Sequence, residues 1–540
     1  MQHSQTTPNR WLSLAVLCLS LFIISLDNTV LNMALPSIAR DLESSASELQ
    51  WIADAYTLVF AASLLTLGSI SDRHGRKRVL LVGVLIFGVG SLLATMSGSS
   101  TELILIRALL GFGGAMIMPS TLSIITATFH DPVERTKAIM IWTAIFGVGA
   151  GLGPLVGGYL LEYFEWTALF YLNVPVAIFS LIAIMTIVPE SCDKKAPRID
   201  LPGSVLSIIG LITLVYGIIH AGESDWTDQT VLLSLGAALI ALGIFVWWER
   251  KIPEPMLPLE FFKNPSFSGA SIAVMLNAFG MFGALYFLSQ YLQTVMGYSA
   301  LNAAIRMLPM VPMMFIATPI SLKVVEKVGY KFTISLGIFI SALGMLILSQ
   351  VVSVTMPYSS LLLVLIVFPA GLGLIISPAT NSIMASVPVE RAGVSSAVND
   401  MLREIGGALG VAVFGALMNS VYRAQIDDLE VVSTMPEEAV EVVRSSIQAA
   451  HMVAAEMPDS LVQVANAIVA GANDAFVAGM AESTAIAAII MAVAGVFALI
   501  VIPTRPLPMV EHEPEPSSDE QLLNVDTYAE PDIQPITSGK

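Results

Sequence analysis

The sequence predicts an all-α polytopic membrane protein with fourteen transmembrane helices and both termini in the cytoplasm. Three observations predict it. The 540 residues are 55% hydrophobic and 12% charged, with a mean hydropathy of +0.77, which excludes a set of soluble domains. The apolar residues fall in repeated runs of about 20, each long enough to cross ~30 Å of hydrocarbon at 1.5 Å per residue. Lysine and arginine segregate: with the N-terminus inside, twenty lie on the cytoplasmic side and three (Arg40, Arg423 and Arg444) outside. That asymmetry fixes the orientation.

The spans run over about 12–33, 49–70, 79–97, 103–128, 138–160, 168–188, 201–220, 230–248, 267–290, 302–322, 332–352, 360–385, 396–420 and 483–503. An internal repeat divides them. PSTLSI (Pro119–Ile124) followed by PVER (Pro132–Arg135) returns as PATNSI (Pro378–Ile383) followed by PVER (Pro388–Arg391). Asp72, Arg73, Gly75 and Lys77 are echoed 254 residues later by Glu326, Lys327, Gly329 and Lys331. Duplicated halves are common in transporter folds. The offset exceeds one six-helix unit, and spans seven and eight supply the excess. The expected organisation is a cytoplasmic N-terminus (1–11), a six-helix bundle (12–188), two extra helices with their loops (189–265) and a second six-helix bundle (266–503). An acidic tail (504–540), rich in Pro, Glu, Ser and Asp, reads as disordered.

The net charge of −17 is local. Residues 421–482 and 504–540 together account for 14 of those negative charges, so the acidic balance says nothing about cargo. The 421–482 segment is too long for an ordinary connection, and its apolar spacing (Val440, Val443, Ile447, Ala450; then Leu461, Val464, Ile468, Ala472) predicts a helical hairpin on the outer face. Cys18 and Cys192 lie in different surroundings, and the six histidines are scattered, so no disulfide or metal site is expected. The first span follows Arg10, is about 22 residues long and lacks a small-residue cleavage site, so it reads as uncleaved.

Two motifs stand out. In the fifth span, GVGAGLGPLVGG places Gly149, Gly153 and Gly157 on one helix face and Gly147 and Gly151 on the next, with Gly158 adjoining and Pro154 permitting a bend. Between spans two and three, GSISDRHGRKRVLL carries Gly68, Asp72, Arg73, Gly75, Arg76 and Lys77. Anchoring by positive charge explains its basic residues but not their order around Asp72 and Gly75. The loop matches the cytoplasmic-loop motif of the major facilitator superfamily, and the glycine run resembles the fifth-helix signature of its antiporters. Leu26-Asp27-Asn28-Thr29-Val30 with Ala34-Leu35-Pro36 is similar to the first-span motif of the fourteen-helix drug:proton antiporters. LILIRALLG (Leu103–Gly111), Asn173-Val174-Pro175, and Tyr291-Leu292-Gln293 with Gly297-Tyr298-Ser299 to Pro309 also resemble that family. The chain departs from it at Leu110, where glutamine is usual, and at Thr167, where arginine follows Trp166.

The resemblance implies a major facilitator fold in a prokaryotic inner membrane, arranged six plus two plus six. It implies alternating access, a loop motif that latches helices in one state, a proton gradient as drive in place of any cofactor, and a monomer. Its expected partners are the bilayer, protons and lipophilic cations, with no nucleic acid. No Walker-type loop and no Ser/His/Asp constellation is apparent, so the chain does not read as an enzyme.

Ionisable residues inside spans are costly and usually functional. Asp27, Asp54 and Arg107 all lie ~7–9 Å below the outer boundary, so Arg107 can pair with either carboxylate. Asp400 and Glu404, four residues apart, share a face of span thirteen with Arg403 between them, and Glu404 precedes Gly406-Gly407. Glu404 is the candidate for an inward proton or cation site; a simple interfacial pair with Arg403 is the alternative. Tyr56, Trp142, Asn277, Tyr286, Gln290, Gln293 and Arg306 are candidates for a cavity lining. These readings converge on a proton-coupled exporter of lipophilic cations. Export of a physiological solute or lipid, and a non-transporting sensor, remain the alternatives.

Overall fold

Helices are the only regular structure in the computed structural model, which describes residues 10–192, 200–387 and 392–507. The first bundle holds α1 (Arg10–Asp41), α2 (Ala46–His74), α3 (Arg76–Ala94), α4 (Ser100–Thr128), α5 (Pro132–Tyr163) and α6 (Ala168–Ile187). The insert is α7 (Leu201–Glu223) and α8 (Gln229–Glu249). The second bundle holds α9 (Pro265–Gln290), α10 (Ala300–Met307), α11 (Met310–Val351), α12 (Tyr358–Ala385), α13 (Ala392–Asp427), α14 (Glu437–Ser445), α15 (Ile447–Ala455) and α16 (Val462–Val501).

Local chemistry sets the helix starts. Ser45 and Glu48 form a reciprocal cap on α2, and Ser99 caps α4. Asp131 accepts the amides of Val133 and Glu134 ahead of Pro132, and those backbone bonds hold its carboxyl below the usual range. Prolines inside helices (Pro36, Pro119, Pro154, Pro175, Pro319, Pro369, Pro378) are tolerated because neighbouring helices satisfy the freed backbone.

Thirteen described helical segments are long and apolar enough to cross a membrane. One of them, 300–351, contains two spans, because Gly329 (φ 84°, ψ 173°) breaks α11 at the turn expected between spans ten and eleven. Gly75 (φ 116°) makes the matching turn between α2 and α3. The repeat extends to backbone hydrogen bonds. After Gly75, the Arg76 amide donates to Ser191 O (2.9 Å), just past α6; after Gly329, the Tyr330 amide donates to Thr504 O (3.0 Å), just past α16. Each half thus ties its inner turn to the end of its own last helix. The second PVER copy, the cations Lys194, Lys195 and Arg198, and tail residues 508–540 lie outside the described residues.

The outer loop differs from expectation. The second helix of the proposed hairpin is not a separate element: α16 begins at Val462 and runs unbroken through the last span, 40 residues in all. The apolar period that suggested a helix simply continues, with no proline to stop it. Span thirteen likewise extends to Asp427. What remains between them is α14 and α15. Tyr422 Oη binds Val443 O (3.0 Å), Arg423 pairs with Glu441 (3.1 Å) and Arg444 pairs with Asp427. Burial acts to raise the Glu441 pKa, but the Arg423 and Arg444 contacts outweigh it and leave the carboxyl below its usual range.

The halves meet where α2 packs on α13 and α5 on α10. The insert crosses the first of these seams: Val215 and Ile219 of α7 pack with Leu58 and Ala62 of α2 and with Ala408 and Ala412 of α13. The two positive-φ turns in the second half separate strain from collision. At Gly297 (φ 67°) an added methyl meets open space, so Gly297→Ala is expected to cost about 1 kcal/mol. Gly329 sits in a region open essentially to glycine alone, and its methyl would lie 2.5 Å from Thr504 O, so Gly329→Ala is expected to cost clearly more. Thermal unfolding in detergent checks the order of the two variants.

Candidate functional site

A cavity of about 1540 Å³ opens between the halves at the end that carries the basic loops. Gly68 and Asp72 of α2, Trp142 of α5 and Asp400 of α13 line it, together with part of the connection after α8. The opposite end is closed. Ser289 Oγ donates to Asn32 O (2.5 Å) and Gln293 Nε2 to Met33 O (3.0 Å), joining α9 and the turn after it to α1. Above this contact, the buried Gln448 of α15 donates to Gln290 Oε1 (3.1 Å). The protein is therefore in a cytoplasm-facing arrangement. Gln290 and Gln293 belong to the outer closure rather than to the cytoplasmic cavity, and Gln293 also lines a smaller outer cavity of about 710 Å³ with Arg40 and Gln448.

The glycine helix α5 forms part of both contacts of this arrangement. Gly149, Gly153 and Gly157 abut Ser25, Thr29 and Val30 of α1, within the same half. The second face looks across to the other half. Gly158 abuts α10, where an added methyl would lie 2.8 Å from Ala300 O, and Gly151 faces Val311 of α11 at 3.3 Å. Gly147 faces open space. Pro154 lies inside α5 without ending it.

Two charge clusters flank the central interface. In the first, Arg107 (1% exposed) donates through Nη1 to Asp27 Oδ2 at 2.5 Å and through Nε to Ile52 O at 3.2 Å, while its guanidinium lies 4.5 Å from the Tyr56 ring centroid. Asn173 Nδ2 donates to the other Asp27 oxygen at 3.0 Å. Of the two carboxylates within reach by depth, Arg107 takes Asp27. Asp54 is buried to 1% exposure, and its Oδ2 has no partner among the described residues. Paired Asp27 is satisfied on both oxygens; Asp54 is not.

The second cluster lies on α13. Arg403 contacts Asp400 (3.2 Å) and Glu404 (3.3 Å), and its guanidinium lies 5.0 Å from the ring centroid of Phe146, a residue of α5 in the opposite half. Glu404 is 2% exposed, lies near the Asn28 side chain of α1, and keeps Oε2 unpartnered among the described residues. The sequence pairing of Arg403 with its flanking acids is thus observed, but it spans the halves rather than lying in the interfacial layer alone.

Other candidates separate by position. Trp142 reaches the cavity and donates to Thr121 Oγ1 (3.1 Å). Asn277 and Tyr286 are buried on α9, with Asn277 Oδ1 unpartnered among the described residues. Arg306 does not line the cavity: it is half-exposed at the end of α10, 3.8 Å from the Tyr298 ring centroid and hydrogen-bonded to Asn302. A guanidinium at a helix end finds a ring and carbonyls nearer water. In the loop motif, Asp72 pairs with Arg76 four residues on (2.7 Å), Arg78 with Glu190 (3.7 Å), and Lys77 Nζ donates to Met185 O (2.8 Å); Arg73 is exposed. Asn28 and Asn173 are the residues sequence reasoning left unweighted. The signal was an amide inside each motif, beside Asp27 in the first span and in the apolar run Asn173-Val174-Pro175.

Comparisons with known proteins agree on one family. A model of the Major Facilitator Superfamily matches residues 17–411. The chain is 35% identical to the multidrug efflux pump LfrA of Mycolicibacterium smegmatis, across 90% of this chain and 95% of that protein. It is 31% identical to the tetracenomycin C resistance and export protein of Streptomyces glaucescens, across 94% and 93%. It is 32% identical to the methyl viologen resistance protein SmvA of Salmonella typhimurium, across 77% and 84%. Among solved structures, it resembles a bacterial homologue of the human lysosomal transporter Spinster in an inward-facing, unoccupied conformation (TM-score 0.61, 20% identity, 92% and 98% coverage).

Breaking the first cluster tests what holds the bundle. Arg107→Leu leaves the Asp27 carboxylate buried without its cation and is expected to destabilise the protein by ~3–5 kcal/mol. Adding Asp27→Asn removes the stranded charge and is expected to restore about half of that. Chemical unfolding in detergent micelles of the two variants beside the parent measures both.

Proposed function

This chain belongs to the major facilitator superfamily, and on that premise we propose that it is a proton-coupled antiporter exporting lipophilic cations by alternating access. The observation that carries the reading is Glu404: a buried carboxylate at the junction of the halves, one turn from cavity-lining Asp400, with one oxygen uncommitted. A multi-pass protein of a prokaryotic inner membrane with resistance and export proteins as relatives supports drugs as cargo.

The mechanism follows from who is already satisfied. Asp27 is held by Arg107 and Asn173, so it anchors the first half. Asp400 and Glu404 are balanced by a single Arg403, so the cluster carries one surplus negative charge when both acids are ionised. A cationic cargo entering from the cytoplasm neutralises that surplus. Protonation of Glu404 neutralises it equally well, so proton and cargo exclude one another at one place. Asp54, unpaired and buried, is the second group able to take up a proton. Driving the exchange is affordable on energetic grounds: one charge crossing 100 mV is worth ~2.3 kcal/mol. The small-residue face of α5 against α10 and α11 supplies a surface on which the halves rock.

Proton movement across proteoliposomes on adding ethidium tests this. The parent protein is expected to couple the two, and Glu404→Gln to lose at least ten-fold of the cation-triggered signal while remaining folded. Loss in Asp27→Asn or Asp54→Asn with Glu404→Gln unaffected moves the coupling to the first half. Absence of movement with any lipophilic cation, from folded parent protein, overturns the drug reading and favours a neutral or lipid cargo.

A further inference from the structure

The α7–α8 hairpin starts just after Asp200 and ends at Glu249, so its two cytoplasmic ends bring two carboxyls together. One oxygen of each is committed. Asp200 Oδ1 accepts the Gly203 amide (3.0 Å) and Trp248 Nε1 (2.9 Å); Glu249 Oε2 accepts the Leu257 amide (2.8 Å). The remaining oxygens, Asp200 Oδ2 and Glu249 Oε1, are both buried and find no donor among the described residues. They converge on one point. A methyl group added at Gly203 would lie 2.6 Å from Glu249 Oε1 and in contact with Asp200 Oδ2 as well. Glu249 is only 3% exposed.

Neighbouring polar groups are occupied elsewhere. Ser204 Oγ donates to the Asp200 carbonyl (2.7 Å) and pairs with Thr66, which also contacts Met256 Sδ (3.1 Å). No described basic side chain forms an ion pair with either acid, and Arg250, next in sequence, is exposed. Two ionised carboxylates are acceptors only, so facing oxygens repel and neither satisfies the other. A carboxylic acid facing a carboxylate forms a strong charge-assisted hydrogen bond.

We propose that Asp200 and Glu249 form a proton-binding site that holds one proton between Oδ2 and Oε1. The ligand is the proton itself, because neither oxygen is accessible to a larger cation. The site is separate from both charge clusters, lies in the insert, and stands whether or not the cargo is a drug. It closes the base of the hairpin and, through Leu257, fixes the connection that forms one wall of the cytoplasmic cavity. Loss of the shared proton would put two like charges face to face and release that wall.

Infrared spectroscopy of the full-length protein in nanodiscs at neutral pH tests it. Difference spectra of Glu249→Gln and Asp200→Asn against the parent are expected to lose one protonated-carboxyl C=O band, sensitive to D₂O. Asp72→Asn, a paired and cavity-facing control, is expected to lose none. An unchanged acid band in both folded variants overturns the proposal and means a cation, such as one from the Lys194–Arg198 stretch, meets the pair instead. A neutral amide replaces the acid without removing its donor, so at least one variant must fold as the parent does; failure of both to fold also overturns the proposal.

Discussion

Arg107 is a full positive charge with 1% of its surface exposed, and the first half of the protein is arranged to tolerate it. Its fork is met by Asp27, by the Ile52 carbonyl and by the Tyr56 ring, each from a different part of α1 or α2. Removing Asp27 strands the Arg107 charge where water cannot reach, whereas the Ile52 carbonyl and the Tyr56 ring support the pair without balancing it. The pair adds little net energy over an apolar substitute of similar shape, yet it strongly penalises any packing that separates α1 from α4. Asn28, the next residue on α1, lies near Glu404 of the second half. One dipeptide, Asp27-Asn28, therefore connects a satisfied charge cluster with an incompletely satisfied one.

That contrast between rigid and exchangeable polar groups runs through the interface. Within the first half the buried Arg107 and Asp27 are fully paired, although Asp54 is not. Between the halves, apart from Arg403 over the Phe146 ring, contacts use glycine and alanine faces, carbonyls, a hydroxyl and amide side chains, which can be exchanged without exposing a bare charge. The α7 helix bridges α2 and α13 mainly with aliphatic side chains, Leu211, Val215, Ile218 and Ile219. Such a surface resists separation but offers little resistance to sliding, because few hydrogen bonds have to break.

The sequence made the architecture legible because hydrophobic length and basic asymmetry are local signals with a physical cause in the bilayer. The all-helical membrane architecture, the order of the apolar helices and the repeat were readable from residues alone, and Gly75 and Gly329 mark equivalent turns. The Asp27–Arg107 pair was readable from depth. Its exclusion of Asp54 was not, since depth gives no azimuth around a helix. Arg306 shows the same limit: depth gives no sign that the ring of Tyr298 lies nearer than the cavity. The outer loop was misjudged at one end because a helical period carries no mark for where a membrane begins. The carboxyl pair of the insert was invisible, as Asp200 and Glu249 stand 49 positions apart and read separately as a helix cap and a helix end.

The last helix, α16, is 40 residues long, which corresponds to ~60 Å of continuous rod, about twice the hydrocarbon thickness. Its outer portion carries α15 against it, and α15 in turn rests on α1. A rigid rod anchored in one half multiplies a small rotation at the membrane centre into a larger displacement at its tip. The extracellular surface thereby works as a dial for the interior. A reporter group attached near the start of α16 could read the working state of the protein from outside the cell, without access to the cavity.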